Sequence, residues 1–227
     1  MAFSILLLCI VIIIKMSSNK KVIEVEHIDQ RKDYPTGCES VSTTMCLHYF
    51  KIDITVNEFV DNYLDRGELF YKGNKLFGPH PDDKFIGSPY DDYSYGCYGH
   101  VIEKALNKLL IEKELNDIYE VRNLKDVPME TIIKDYIDND IPVIFWATMS
   151  LLPMRLTTKW FVPETGEEYQ WRGNEHCLLL VGYDEEKDTY IFNDPLTDHA
   201  AIEYNKTLVE KRHKEQYSMA VALVKIK

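Results

Sequence analysis

The sequence predicts an α+β domain in which helices come first and an antiparallel sheet follows. The first half holds amphipathic segments with helix-start signals, and the second half holds apolar runs of strand length joined by a charged turn. Helices that precede strands, instead of alternating with them, favour an antiparallel sheet over a doubly wound parallel one. With 227 residues, of which 45% are hydrophobic, the chain can bury one substantial core.

The first half of the chain contains a short strand and then helices. Alternation of apolar and polar residues in KVIEVEHI predicts the strand. We expect the first helix over residues 39–50. A second helix begins in TVNEFVDNYL, where Thr55 and Glu58 have the spacing of a capping box. Residues 66–98 are rich in Gly, Pro, Asp and Tyr and predict a long ordered loop, a kind of segment that is usually functional.

Two more helices separate this loop from the strands of the second half. GHVIEKALNKLLIEKEL is amphipathic, and DVPMETIIKDYIDND is predicted to be a helix with Asp126 as its N-cap. IPVIFWATM then predicts a buried strand, and HCLLLVGYDEEKDTYIFNDP predicts a β-hairpin with a charged turn. A last helix in NKTLVEKRHKEQY and a closing strand in MAVALVKI complete the chain.

Composition excludes several classes of partner. The net charge is −11, the isoelectric point is about 5.1, and no basic block is longer than two residues. Nucleic acids and anionic membrane surfaces are bound through an excess of Lys and Arg, so we expect neither as a partner. The five cysteines are scattered and show neither a CxxC pair nor zinc-ligand spacing, so we expect no disulfide framework, no metal and no cofactor.

The N-terminal segment is apolar without a break. Residues 2–14 read AFSILLLCIVIII, which is shorter than the roughly 20 residues of a membrane span. The length suits the apolar core of a signal peptide, although a charged start and a small-x-small cleavage site are missing. We therefore expect residues 1–21 to be a signal or membrane tether with a short linker, and residues 22–227 to be one domain. This implies a secreted or membrane-associated protein, or a cytoplasmic one if translation starts at Met16.

One cysteine has the context of a nucleophile. In YPTGCES, Cys38 follows a turn and opens the first predicted helix, where free backbone amides and the helix dipole stabilise a thiolate. We therefore expect Cys38 to have a lowered pKa and to be the most reactive thiol of the chain. Glu39 follows it directly, and its carboxylate would raise the thiol pKa if it faced the sulfur.

Nucleophilic catalysis by cysteine also needs a histidine and a group that orients the histidine. His176 opens an apolar strand, and Asp194 ends the partner strand before Pro195. If the turn centres on Glu185, Asp194 lies opposite His176, and if it centres on Glu186, Asp194 lies diagonal to it. In both registers the two side chains share one face of the sheet.

Four stretches in order, YPTGCES, GSPYDDYSYGCYGHVI, PVIFWATM and EHCLLLVGYD…FNDP, resemble the bacterial C39-like peptidases, a family of papain-like cysteine peptidases. The resemblance covers residues 22–227. It implies a papain-like fold with Cys38 as nucleophile, His176 as base and Asp194 as the partner that orients the base. It also implies an oxyanion glutamine shortly before the cysteine, and Gln30, eight positions upstream, is the candidate.

Three functions fit this set of residues. The first is hydrolysis of a peptide or isopeptide amide in a peptide or protein substrate, through a thioester intermediate. The second is acyl transfer on the same triad, and the third is a peptide-binding module without catalysis. In each case we expect residues 66–98 to form a lid over the groove, and Trp160 and Trp171 to be either core anchors or groove walls. Oligomeric state is left open.

Overall fold

Residues 20–227 are described by the structure, which is a computed structural model. The predicted signal or tether therefore lies outside the described residues, except for Lys20 and Lys21. Within the described part, no helix is long and apolar enough to cross a membrane. Secondary structure of this part includes five α-helices: α1 Cys38–Tyr49, α2 Val56–Asn62, α3 Gly99–Glu112, α4 Met129–Asp135 and α5 Lys206–Glu215.

Thirteen strands accompany these helices in the described residues. The first six are β1 Lys20–Val22, β2 Arg66–Gly67, β3 Phe70–Lys72, β4 Lys75–Phe77, β5 Phe85–Ile86 and β6 Tyr119–Asn123. The others are β7 Val143–Thr148, β8 Arg155–Phe161, β9 Glu168–Gly173, β10 Glu175–Asp184, β11 Thr189–Asn193, β12 Ile202–Asn205 and β13 Ala220–Lys225. The α+β class with an antiparallel sheet is thereby confirmed.

The main sheet has the order β12-β11-β10-β7-β13-β6, and β1 also pairs with β10. All of its pairings are antiparallel. Strands β7 and β10 lie at its centre and are buried along almost their whole length. This explains why both read as continuous apolar runs, since a strand covered on both faces has no polar alternation.

Helices cover both faces of this sheet. Along β7, Phe145 stacks on the ring of His213 in α5 with centroids 4.0 Å apart. The next residue, Trp146, donates from Nε1 to the carbonyl of Cys97, just before α3. Because neighbouring side chains of a strand point to opposite faces, α5 and the start of α3 lie on opposite sides of the sheet. Helix α1 packs against β10 and β7.

The hairpin β10–β11 contains a β-bulge. Near the turn, Tyr183 pairs with Tyr190, while beyond the bulge Leu179 pairs with Asn193. The shift falls between Leu180 and Gly182 and brings the far end of the hairpin into the second of the two predicted registers, with Asp194 diagonal to His176.

Two predictions about secondary structure need correction. Asp126 is not an N-cap: it has a left-handed φ of 62°, its N–H donates to the carbonyl of Ser218, and α4 starts only after Pro128. Residues 66–98 are ordered but contain β2 to β5 instead of only loop. Strands β3 and β4 pair with each other, and β4 also pairs with β8, about 80 positions later in the chain, which joins them to β8 and β9 in a second sheet.

Burial of His213 predicts a pH-dependent loss of stability. Burial lowers the pKa of His213 to about 4, against the opposing effect of its hydrogen bond to the Trp146 carbonyl. The unfolded chain therefore takes up a proton below pH ~6.5 while the folded protein does not, and stability falls as pH drops from ~6.5 toward 4. At pH 5 we expect a loss of about 2 kcal/mol from this group.

Urea unfolding at pH 7.5 and pH 5 measures this loss. His213→Gln should lose about 2 kcal/mol less than the wild type between the two pH values, because it cannot titrate. Ile111→Gln, an exposed substitution that removes no titratable group, should show the pH dependence of the wild type. Equal pH dependence in His213→Gln and the wild type would contradict the assignment.

Candidate active site

The turn before α1 delivers Cys38 to the edge of the core. Gly37 is the N-cap residue, and a Cβ there would lie 2.9 Å from Cβ of Tyr34 and 3.1 Å from Cβ of Pro89. Only glycine leaves room for the chain to pass this closely before the helix starts. Cys38 is the first helical residue, as expected, and is 7% exposed.

The thiol of Cys38 has two hydrogen-bond partners. It donates to Oε2 of Glu39 at 3.3 Å, and it accepts from the backbone N–H of Cys177 in β10 at 3.4 Å. Burial, followed by the negative charges of Glu39 and Glu175, raises the pKa of Cys38 well above its usual value. The expectation of a lowered thiol pKa was wrong, because burial and two carboxyl groups outweigh the helix terminus.

His176 and Asp194 form a buried pair. The distance from His176 Nε2 to Asp194 Oδ1 is 2.8 Å, and the two residues are 1% and 3% exposed. Asp194 also accepts hydrogen bonds from the hydroxyl of Tyr204 at 2.7 Å and from the backbone N–H of Leu196 at 2.9 Å. Burial alone would raise the pKa of Asp194, but the bonds from His176 and the other donors lower it to about 2. The carboxylate is therefore held ionised.

Cys38 and His176 line one cavity of about 160 Å³. Because Nε2 of His176 is engaged by Asp194, the opposite ring nitrogen, Nδ1, is the one left to exchange a proton with another group. Among residues 20–227 the thiol hydrogen-bonds to Glu39 and Cys177 and not to His176. The Cys38 thiol and the His176 ring therefore line the same cavity, but the thiol donates its hydrogen bond to Glu39.

Gln30 lines the same cavity and is 2% exposed. Its Nε2 donates to the carbonyls of Tyr34 at 3.1 Å and Pro35 at 3.2 Å, and its buried Oε1 makes no hydrogen bond. Both amide protons are used, so Gln30 could serve an oxyanion only by giving up one of these bonds. The backbone N–H of Cys38, first in its helix, has no acceptor within the helix and is a second donor at this place.

Part of the predicted lid reaches the site. Ser94 and Tyr95, near the end of segment 66–98, line the cavity with Trp171. Tyr95 packs against both Trp160 and Trp171, with its ring centroid 5.6 Å from each. Trp171 is therefore a wall of the cavity. Trp160 is 1% exposed, donates from Nε1 to the Pro79 carbonyl and acts as a core anchor.

Two buried carboxyl groups beside the cysteine are a feature of the site that sequence analysis largely missed. Glu39 accepts from the Cys97 N–H at 2.6 Å, while Oε1 of Glu175 makes no hydrogen bond. Burial raises the pKa of both glutamates, and for Glu175 the charge of Glu39 raises it further. One polar atom each of Cys38, Glu39 and Glu175 lies within 4.8 Å of the others, so this group could hold a metal ion. The position of Glu175 directly before His176 was the one signal in the sequence that could have placed this carboxyl group near the site.

Comparisons with known proteins agree with this architecture. A profile of the Peptidase_C39 like family matches residues 22–221. A crystal structure provisionally described as that of a C39-like peptidase from Bacillus anthracis superimposes with a TM-score of 0.76 at 22% sequence identity. The alignment covers 90% of this chain and 97% of the other, and at this identity it establishes the fold. No curated protein gives a significant match.

Removing the charge of Glu39 should make the thiol more reactive. Glu39→Gln keeps the shape of the side chain but not its negative charge, so the pKa of Cys38 should fall. The rate of Cys38 alkylation by iodoacetamide at pH 7.5 should then rise on the order of ten-fold.

Alkylation followed by peptide mass mapping, in a buffer that contains EDTA, measures this rate at Cys38 alone. Glu130→Gln is the matched control, because Glu130 is also in the first turn of a helix but is exposed. It should leave the rate unchanged. If Glu39→Gln alkylates no faster than the control, Glu39 does not govern the thiol.

Proposed function

This chain belongs to the Peptidase_C39 like family, and from that premise we propose that it is a cysteine peptidase that cleaves a peptide or isopeptide amide with Cys38 as nucleophile. One observation carries the proposal: His176, with Asp194 at 2.8 Å, lines the same cavity as the thiol of Cys38. A thiol, an imidazole and a carboxylate that orients the imidazole are the components of acyl transfer to sulfur.

The reaction starts with transfer of the thiol proton of Cys38 to Nδ1 of His176. Sγ then attacks the scissile carbonyl carbon, and the resulting oxyanion is stabilised by the backbone N–H of Cys38 and by an amide proton of Gln30 released from the loop carbonyls. Collapse breaks the C–N bond, the amine leaves with the proton from His176, and a thioester remains. Water activated by His176 hydrolyses the thioester and restores the thiol.

Before this sequence can begin, the thiol must leave Glu39. In the resting arrangement the thiol donates a hydrogen bond to Oε2 of Glu39, with 3.3 Å between Sγ and Oε2, and the raised pKa of Cys38 disfavours the thiolate. A substrate that enters the cavity and moves Sγ toward His176 separates the sulfur from Glu39, which disfavours the thiolate. It brings the sulfur to the imidazole, which favours the thiolate. The enzyme therefore rests in a weakly reactive state and gains its nucleophile on binding.

This resting contact is also the observation that favours the competing interpretation, a peptide-binding module. A thiol held permanently by Glu39 would leave a groove that binds peptide and does no chemistry. The two interpretations differ in what the loss of Cys38 does: it abolishes turnover in a peptidase, and it leaves peptide affinity unchanged in a binding module.

Three variants test the catalytic assignment with a library of quenched fluorescent peptides. Cys38→Ala should abolish turnover, because no nucleophile remains. Asp194→Asn should lower kcat by roughly 10³- to 10⁴-fold with a smaller change in KM, since the amide favours the wrong histidine tautomer. Cys46→Ser removes a buried thiol elsewhere in the core and should retain activity.

Activity that persists in Cys38→Ala would reject the nucleophile. Peptides that bind wild type and Cys38→Ala equally, with no cleavage by either, would favour the binding module. Added amines separate hydrolysis from acyl transfer, because a transferase yields the amide of the added amine instead of the free acid.

A further inference from the structure

A cluster of three ligand-type side chains surrounds one point beside the cavity. Atoms of Cys38, Glu39 and Glu175 all lie within 4.8 Å of one another, and the residues are 7%, 0% and 7% exposed. They come from two separate elements, the first turn of α1 and the first residue of β10. The cluster is therefore a product of the docking of this helix on this strand.

Neither carboxyl group of the cluster is within ion-pair distance of a cationic side chain in residues 20–227, although the His176 ring lies near enough to act on Glu39. None of the ion pairs in residues 20–227 includes Glu39 or Glu175. Oε1 of Glu175 is buried without any hydrogen bond. An unsatisfied buried carboxyl oxygen is costly, and buried charges are normally paired or bound to metal. An occupant that supplies positive charge at this point removes the cost.

The backbone around the cluster is shaped to admit these oxygens. Gly96 has a φ of 131°, and a Cβ at this position would lie 2.6 Å from Oε1 of Glu39 and 2.8 Å from Oε2 of Glu175. Any other residue would displace the carboxyl groups from their present positions. The N–H of Cys97 holds Oε1 of Glu39 at 2.6 Å, so Oε2 is directed toward the sulfur.

We propose that Cys38, Glu39 and Glu175 bind a thiophilic divalent cation, with Zn²⁺ as the best fit, and that the bound ion blocks the sulfur. One thiolate and two carboxylates are accepted zinc ligands, and three protein ligands leave the fourth position to water. With Zn–S of ~2.3 Å and Zn–O of ~2.0 Å in tetrahedral geometry, sulfur and oxygen ligands lie about 3.5 Å apart. The distance from Cys38 Sγ to Glu39 Oε2 is 3.3 Å.

The ion can reach the site, and the protons that it displaces can leave. Cys38 and Glu175 line the cavity, which supplies an entry path and room for the fourth ligand. On binding, the proton of the Cys38 thiol, with any carboxyl proton, is released to solvent, and Sγ forms a bond to the metal. The lone pair of Sγ that would attack a carbonyl carbon is then bound to the metal. The inhibitory half of this inference rests on the proposed function, whereas the binding site does not.

Zinc titration of the full protein, against a chromophoric chelator after EDTA treatment and dialysis, tests the site. We expect one equivalent of Zn²⁺ to bind and Ca²⁺ not to compete, since calcium avoids sulfur ligands. Glu175→Gln should weaken zinc binding by at least ~100-fold. Loss of a residue that only hydrogen-bonds to a metal ligand already costs up to ~100-fold, and loss of a ligand should cost no less. Cys46→Ser, which removes another buried thiol, should bind as the wild type does.

Alkylation of Cys38 with and without Zn²⁺ gives a second measurement that needs no substrate. One equivalent of Zn²⁺ should protect Cys38 in the wild type and fail to protect it in Glu175→Gln. Unchanged zinc affinity in Glu175→Gln, or Cys38 alkylated at the metal-free rate in the zinc-bound wild type, would overturn the inference. Zinc bound through these residues in a protein without peptidase activity would keep the site and reject the proposed function, so the two failures are distinguishable.

Discussion

The candidate active site depends on a change of register in the ladder between β10 and β11. In an antiparallel pair, a shift of one residue moves every side chain of a strand to the other face. Had the register of Tyr183 with Tyr190 continued along the hairpin, Asp194 would face away from His176. The bulge between Leu180 and Gly182 restores the shared face, and the bond of 2.8 Å follows from it. Gly182 fits here because a side chain would collide with the carbonyl of Lys21 in β1.

The site treats its buried carboxyl groups in two ways. Asp194 receives donors from His176, Tyr204 and Leu196, which offset the cost of burial and keep it charged. Glu39 receives one backbone amide and a thiol, and an oxygen of Glu175 receives no donor. Asp194 is thus prepared to stabilise an imidazolium during the reaction. The glutamate pair raises the thiol pKa and provides the charge that a cation needs.

Local signals in the sequence predicted local structure well. The capping box of Thr55 and Glu58 forms as expected, with each side chain accepting from the other's backbone N–H. Helix α1 begins within one residue of the prediction, and the hairpin after His176 forms as expected. Asp126 failed as an N-cap because a contact with Ser218, far along the chain, holds it in a left-handed conformation. Strands β3 and β4 were missed because three residues are too few to show a period, and β4 has a second partner, β8, far along the chain.

By itself, the sequence determined the class of fold, the family resemblance, the position of Cys38 at a helix start and the two registers in which Asp194 could meet His176. These features arise from residues close together in the chain, where propensity, capping and alternation act directly. Only the tertiary structure decided between the two registers. It also showed that both amide protons of Gln30 are donated to loop carbonyls, and that Glu39 and Glu175 lie next to the sulfur of Cys38. The pKa of a buried thiol is set by all of its neighbours in space, and a strand more than 130 residues away supplies one of them.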